Sequence, residues 1–598
     1  MNKVVWIAAI ALGLFFVTTK HLDNCYDKVI MAEGHGYYAY LLSDHIYHDP
    51  TFEFFNQLYP RYYCESFDPP TRNFINEFEG IRVNKYYPGV SLLWLPFFLI
   101  AHLLAIVLGF SADGYSDIYQ YAIGIAGIFY TVLGIHFSRR CLERFGISPP
   151  VQAAVLLTLL FGTNLLIYSG AWSSQTHAYS FFLISALSYQ LFNLFDAATP
   201  DRSLRLCYVF ILGALSVTVR PQSSALFFLL PFFGATREKA AQIFKKEFFT
   251  KKAIVGLVVA VGILMRVSFL WHEQTGRWLL NPYHGESYHL FEPHVLDILF
   301  SFRKGWLLYS PFVAFGLIGL LFSPSPKERI NLILFWSLLV YVSSCWWCWT
   351  YSQTSFGQRT FVDFYVLIGL QAGLMVEKLW SRFRYLILML FVAFISLNLL
   401  QTHQYRIGVL DGDRCDRESY FKNFFSIRPI AAYPIPAATI VQQERIVEEF
   451  DEKISDRRIV PSVGGKGMST ILSDSVIYSD GVSSELPLFL DGSERSHIRI
   501  RADITAPYGI GDAAYLVVDL QRNGNSFGYS SFPLRPYIHD RHTTGLEFGM
   551  EMPESVTPGD RIKVYAWKKD SNELDTVFID RIQVEFIRTD SSLVLLKR

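Results

Sequence analysis

The sequence predicts a polytopic α-helical membrane protein of about eleven transmembrane helices, followed by an all-β sandwich or jelly roll. Three observations carry this. From Val4 to Gln401, apolar segments of bilayer length alternate with short polar loops. Loops on one side hold sixteen lysines and arginines, and those on the other side hold five. Beyond residue 430 or so, short alternating runs between turn residues replace the apolar segments.

The composition fits. Of 598 residues, 51% are hydrophobic and only 18% charged, with 51 Phe and 34 Tyr; soluble domains carry about 25% charged residues. A formal net charge of zero gives no reason to expect a nucleic-acid partner. Seven cysteines are too few for a disulfide scaffold. Cys25 and Cys64 share one external loop and could pair, whereas Cys141 and Cys207 near the basic side are expected as free thiols. Cys345 and Cys348 end an apolar span and read as packing residues. Residues 1–20 lack a small-residue cleavage site, so they read as an uncleaved first helix.

A helix needs about 20 residues to cross the hydrocarbon. The expected spans are 4–20, 118–137, 150–169, 178–195, 206–219, 223–235, 253–271, 305–322, 330–347, 361–376 and 385–401. The basic clusters Arg139–Arg144, Arg202/Arg205, Arg237–Lys252, Lys327/Arg329 and Lys378–Arg384 then share one side, which the positive-inside rule makes cytoplasmic. The few opposite cations are Arg220, Arg277, Arg303, Lys304 and Arg359. This orientation implies a bacterial plasma-membrane protein with an extracytoplasmic first loop (20–87) and an extracytoplasmic C-terminal domain. Two segments are decided by the charge pattern. If 88–110 crossed, Arg139–Arg144 would change sides, so it reads as helices at the outer interface, broken near Pro96. Basic clusters flank both ends of 206–235, so that run reads as a hairpin turning at Arg220-Pro221-Gln222.

The division expected is a membrane domain (1–402), a connector (403–429) and the β domain (430–598). The β domain's runs are Ser475–Tyr478, His497–Ile504, Ala514–Leu520, Gly545–Met552, Arg561–Trp567 and Thr576–Ile587, preceded by a charged helix or linker, Gln442–Asp456. A sugar-binding module and a structural cap fit it equally well.

Chemistry concentrates on the outer side. Glu33, opening Glu33-Gly34-His35-Gly36-Tyr37-Tyr38-Ala39-Tyr40, would start a short helix just above the membrane and could take a proton from a hydroxyl; complementing the helix dipole is the simpler role for it. Asp27 and Asp44 flank it. Lys85, in Asn84-Lys85-Tyr86-Tyr87-Pro88-Gly89, could hold an anion at the interface or merely snorkel. Arg220, Arg359 and the Arg303-Lys304-Gly305 turn come from different span ends at one depth, which suits a lipid-borne phosphate. His177 begins a span at that depth and could join them or cap its helix. His35, His45 and His48 fit no metal motif. No metal site or cofactor is predicted, although a divalent cation is compatible with these histidines.

This order of parts resembles the GT-C membrane glycosyltransferases, most nearly in plan the protein O-mannosyltransferases and the lipid A aminoarabinose transferase. The resemblance covers roughly residues 1–400. Glu33 with Tyr37 and Tyr38 looks like the family's acidic loop segment, with Ala32 in place of one acid of the usual pair; Asp27 or Asp44 is the candidate replacement. Lys85-Tyr86-Tyr87-Pro88 looks like its Lys-Pro-Pro or His-Pro-Pro element with altered spacing. Arg220-Pro221, Phe161-Gly162-Thr163-Asn164 and Ser355–Arg359 also resemble family segments. The resemblance implies a polyprenyl-phosphate-linked sugar donor and transfer to a glycan, lipid or protein hydroxyl outside the cytoplasm. The rivals are a flippase or transporter of lipid-linked sugars, which would place polar groups at mid-membrane, and a non-catalytic scaffold displaying a sugar-binding domain.

Overall fold

The computed structural model describes residues 3–20, 22, 28–62, 74–78, 81–283, 288–346, 355–407, 409–410, 415–427, 439–440, 454–460, 470–472, 482–487, 496–505, 514–523, 525–533, 544–551, 556–557, 559–568 and 577–589. The chain divides into two units. One holds Met1–Tyr405 with Leu410–Phe424, and the other holds Arg406–Val409 with Phe425–Arg598. Cys25, Cys64 and Cys348 lie outside the described residues, as do Asp27 and the run Ser475–Tyr478. Cys141, Cys207 and Cys345 are buried free thiols.

The first unit is helical. Its main helices are α1 (Lys3–Thr19), α2 (Glu33–Leu42), α3 (Phe55–Tyr62), α4 (Gly89–Leu108), α5 (Asp117–Arg144), α6 (Pro149–Phe161), α7 (Leu165–Ser169), α8 (His177–Leu194) and α9 (Arg202–Val219). They continue with α10 (Arg237–Lys246), α11 (Lys251–Thr275), α12 (Val295–Phe300), α13 (Trp306–Tyr309), α14 (Pro311–Gly319), α15 (Pro326–Cys345), α16 (Tyr365–Arg406) and α17 (Arg417–Lys422). Among the described residues, six helical segments are long and apolar enough to cross a membrane: Gly89–Leu108, Asp117–Arg144, Arg202–Val219, Lys251–Thr275, Pro326–Cys345 and Arg359–Arg406. Three shorter apolar helical segments accompany them, Lys3–Thr19, Pro149–Phe161 and Pro311–Phe322.

The last long segment is two helices joined without a loop. Phe383 leaves helical geometry (φ −124°, ψ 17°). Ahead of it, Ile368 lies beside Gly316 and Gln371 beside Gly319, so the chain runs parallel to α14. After it, Phe391 packs on Phe312 and Phe315, and Asn398 Nδ2 donates to the Tyr309 carbonyl at 2.7 Å, so the chain runs back. The reversal falls among Lys378, Arg382 and Arg384.

Three local expectations are corrected. Segment 88–110 is one continuous helix through Pro96. An apolar helix absorbs the single hydrogen bond that Pro removes when its neighbours keep it in place. Both ends of α4 nevertheless stay with the first loop and the site side: Gly89 abuts Thr218–Val219, and Gly114 just beyond α4 abuts Leu42. The second arm of the 206–235 hairpin is a nine-residue 3-10 helix, Pro221–Leu229, which Pro221 starts. The run 441–453 lies outside the described residues, while Ile454–Val460 is a strand.

Cations gather at the helix ends remote from Glu33. Arg144 Nη2 meets Asp196 at 2.7 Å, and Lys252 pairs with Asp201. Helices α9 and α11 approach closely because Gly256 has no side chain; a Cβ there would lie 2.5 Å from the Cys207 Cα. Small residues of this kind replace hydrophobic driving force where helices pack in lipid.

The second unit contains strands β3 (Thr439–Ile440), β4 (Ile454–Val460), β5 (Thr470–Leu472), β6 (Val482–Glu485), β7 (Ser496–Thr505), β8 (Ala514–Arg522), β9 (Asn525–Pro533), β10 (Thr544–Glu551), β11 (Arg561–Lys568) and β12 (Val577–Thr589). Strands β1 (Ile75–Phe78) and β2 (Ile81–Asn84) form a hairpin in the first loop of the helical unit. One antiparallel sheet runs β3-β10-β7-β12-β4, with β5 also on β12, and a second runs β6-β11-β8-β9. Alternate residues are buried, as a half-covered sheet requires: Ile498, Ile500 and Ala502 in the first sheet, and Ile562, Val564 and Ala566 in the second.

Gly256→Ala should lower the unfolding midpoint of the detergent-solubilised protein, with a cost of about 1–3 kcal/mol from overpacking. Gly262→Ala on the same helix meets nothing within 4 Å and should leave the midpoint unchanged or slightly raised.

Candidate active site

Glu33 is the first residue of α2. The chain enters it through Ala32 at φ 47°, ψ −123°, a conformation that residues with a Cβ rarely adopt. Two glycines let α2 press into its surroundings. A Cβ on Gly34 would lie 2.6 Å from Ser174 Oγ, and one on Gly36 would lie 2.4 Å from the Tyr86 ring. Asn84 Nδ2 donates to the Gly36 carbonyl at 2.7 Å, and the Tyr40 hydroxyl donates to the Tyr86 carbonyl at 2.7 Å. The acidic segment is thereby clamped against both the Ser173–His177 turn and the Lys85–Pro88 segment.

Arg359 reaches the same place from the far end of the chain. Its loop is held by Asn164, whose amide donates to the Phe356 and Gln358 carbonyls at 3.2 and 3.3 Å. The Asn164 oxygen accepts from the Tyr365 hydroxyl at 2.5 Å. Gly357 turns the loop at φ 59°. Arg359 Nη2 then meets Glu33 Oε1 at 2.6 Å.

Arg220 closes α9 beside them. Its Nε lies 3.1 Å from Asp363 Oδ2, and Asp363 is fully buried. Arg220 Nη1 donates to Thr176 Oγ1 at 3.2 Å and to His177 Nδ1 at 2.8 Å. A guanidinium only donates, so the His177 ring accepts from it. Gln222 Nε2 donates to Asp363 Oδ2 at 2.9 Å. Asp363 therefore fixes the guanidinium from behind. The sequence reading missed Asp363; four residues beyond Arg359 in an apolar run, its one signal was being an unpaired acid at the start of a span.

These groups border a cavity of about 720 Å³. Glu33, Arg220 and Arg359 line it, together with a Tyr/Trp wall (Tyr37, Tyr86, Tyr87, Tyr283, Tyr288, Trp346) and a purely apolar wall (Phe228, Leu338, Leu339, Val342). Burial by itself would raise the Glu33 pKa. Arg359, with Arg220 behind it, outweighs burial and holds the carboxyl below the usual carboxylate range.

The other candidates fall elsewhere. Asp44 pairs with Arg266 Nη2 at 2.5 Å and does not line the cavity. Lys85 and Lys304 are buried and lie outside its lining. His35 is buried against the Tyr115 hydroxyl at 2.9 Å, and burial pushes its pKa down to about 3. His45 stacks near Phe98. Among the described residues, no three His, Cys, Asp or Glu side chains come together as a metal site.

No protein-family model and no curated protein matches the chain. Among solved structures it is similar to the arabinosyltransferase EmbB from Mycobacterium smegmatis, with 12% identity and a TM-score of 0.37, over 98% of this chain and 64% of that one. It is also similar to the oligosaccharyltransferase AglB from Archaeoglobus fulgidus in complex with an inhibitory peptide and a dolichol-phosphate, with 13% identity and a TM-score of 0.35, over 68% of this chain and 55% of that one. The chain thus spans less than two thirds of the length of either. Both are glycosyltransferases by name. At these identities and scores neither supplies a substrate or a residue role, and the functional reading below rests on the cavity.

Asp363→Ala leaves Arg220 partly buried without its carboxylate, and removal of one partner of a buried pair costs about 3–5 kcal/mol. Asp363→Asn should cost less, and thermal unfolding of the two variants checks the order. The acid limb gives a second test. Because the Glu33 pKa is depressed on folding, its contribution is complete above the unfolded value near 4.5 and is lost as pH falls through the folded one. Glu33→Gln should therefore flatten the fall in stability below about pH 5, measured by unfolding midpoints across pH.

Proposed function

We propose that this chain is a GT-C-type membrane glycosyltransferase that moves a sugar from a polyprenyl-phosphate-linked donor to an extracytoplasmic hydroxyl. The observation that carries the reading is the convergence of one carboxylate and two guanidiniums, from three distant parts of the chain, on a single cavity with an apolar side. A scaffold has no use for a desolvated charge cluster of this kind, which costs stability unless it serves chemistry or binding. The charges also sit together at one end of the helices and are not strung through the membrane, which favours a transferase over a flippase.

In this reading Arg220 and Arg359 receive the phosphate of the donor. The apolar wall, where Phe228 and Leu338 are 66% and 48% exposed, receives the first part of its lipid tail. The acceptor oxygen attacks the anomeric carbon from the face opposite the phosphate. The bond from carbon to phosphate oxygen breaks, the phosphate leaves with the electron pair, and the acceptor proton passes to Glu33. The guanidiniums act where negative charge accumulates in the transition state.

The ion pair between Glu33 and Arg359 sets an order of events. With Arg359 on it, Glu33 is a weak base. A donor phosphate competes for the same guanidinium, and as Arg359 turns to the phosphate, Glu33 loses the partner that depresses its pKa. Donor binding would thus raise the basicity of Glu33 when a base is needed. The opposite ends of these helices carry the basic clusters, which supports a cavity on the periplasmic or extracellular face of a bacterial inner membrane.

Glu33→Gln should lower transfer by about 10²–10⁴-fold while the protein still inserts and folds; turnover within a few-fold of the parent would remove Glu33 from the mechanism. Arg220→Ala and Arg359→Ala should raise the KM for the donor more than that for the acceptor. Unchanged donor KM in both would dismiss the phosphate assignment. The readout is mass spectrometry of envelope glycans and glycoproteins, first comparing a deletion strain with the parent to identify the product.

A further inference from the structure

The cavity has a second wall that the charge cluster does not use. Five aromatic rings follow one another from the helix of Glu33 outward. Tyr37 and Tyr86 are 4.9 Å apart between ring centres, Tyr86 and Tyr283 6.3 Å, Tyr283 and Trp346 6.5 Å, and Trp346 and Tyr288 4.4 Å. All five line the cavity. They come from four places in the sequence: α2, the segment before α4, the loop after α11, and the end of α15. The inner members Tyr37 and Tyr86 are buried, and the outermost, Tyr288, is 50% exposed. The series therefore runs from beside the carboxylate to solvent.

We infer that this file of rings is a carbohydrate-binding track, and that the acceptor is a glycan chain of at least two sugars, entering past Tyr288 and Trp346 with its reactive hydroxyl at Glu33. The identity of the reaction rests on the transferase reading above; the binding of glycan does not. Aromatic rings offer flat apolar faces with a polar edge, which match the C–H faces and equatorial hydroxyls of a sugar. The spacing of the rings is comparable to that of successive sugars in a chain. The wall is also uncharged, so a neutral polyol crosses it without leaving an ion unpaired. A peptide acceptor would instead ask for a row of backbone donors and acceptors, and the five rings supply faces and their polar edges. Burial keeps the Tyr37 and Tyr86 phenols protonated, so that they can donate to a sugar oxygen at any physiological pH.

The test uses the full-length protein in detergent, with no donor present, on an array of neutral and acidic bacterial oligosaccharides beside Ser- and Thr-containing peptides. The protein should retain at least one class of oligosaccharide, and more strongly as its length grows from one sugar to four. Tyr288→Ala and Trp346→Ala should each weaken retention at least tenfold, while Tyr288→Phe and Trp346→Phe keep most of it. The Phe variants separate a lost ring from a damaged fold, which unfolding midpoints check in parallel. Retention of peptides alone, retention of no glycan, or equal retention by the Ala variants would overturn the inference. Because the assay contains no donor and does not involve proton transfer at Glu33, its failure would leave the transferase reading standing, just as an inactive Glu33→Gln that still retains glycan would leave the track standing.

Discussion

The contact between Glu33 and Arg359 is the interaction on which the cavity end of the helical unit depends. Each partner is mostly withdrawn from water, with 15% and 13% of its side chain exposed. Either charge alone would be costly there, since desolvating an isolated ion costs several kcal/mol. Their mutual attraction repays that cost only when geometry is tight, and much of the surrounding structure is arranged to keep it tight. Gly34 brings α2 down onto Ser174, Asn164 clips the loop of Arg359, and Asp363 braces the neighbouring guanidinium of Arg220. A pair that must be neutralised to be stable, yet sits in an open cavity, is also a pair that an incoming anion can take apart.

The polar groups that do this bracing are small in number and heavily used. Asn164 makes two donations and accepts one hydrogen bond inside an apolar core. Asp363 faces Arg220, Gln222 and His177. Low local dielectric makes such networks stiff when complete and costly when one member is missing. The cavity is therefore positioned by hydrogen bonds that converge from α6–α8, α9 and the start of α16, while the aliphatic packing beneath supplies bulk and no direction.

Much of this was legible in the sequence. Charge asymmetry between loops separated the basic helix ends from the ends near Glu33, and the proximity of Arg220 and Arg359 to span ends marked them out before any contact was known. Glu33 stood out as an acid opening a Tyr-rich segment. What could not be read was long-range register. Nothing local reveals that Asp363 faces Arg220 across 143 positions, or that Asp44 is taken by Arg266. Lys85 and Lys304 share the motif settings of the site residues but turn into other packing. The helix through Pro96 shows the limit of breaker rules in an apolar setting, where proline removes one hydrogen bond without water to reward a break. The reversal among Lys378, Arg382 and Arg384 was expected between spans 361–376 and 385–401, but the absence of a loop at Phe383 was not, because the basic residues that signal a turn also propagate a helix well.

For the transferase and glycan track proposed above, the two unlike walls of the cavity have a kinetic corollary. A reactant carried on a hydrocarbon tail is counted per unit area of bilayer, whereas one arriving along the ring file is counted per unit volume of aqueous phase. Adding inert lipid or detergent thins the former and leaves the latter untouched. Turnover measured in micelles of different sizes would then change through surface dilution alone, and comparison of variants becomes meaningful only when the mole fraction of the tailed reactant is held constant.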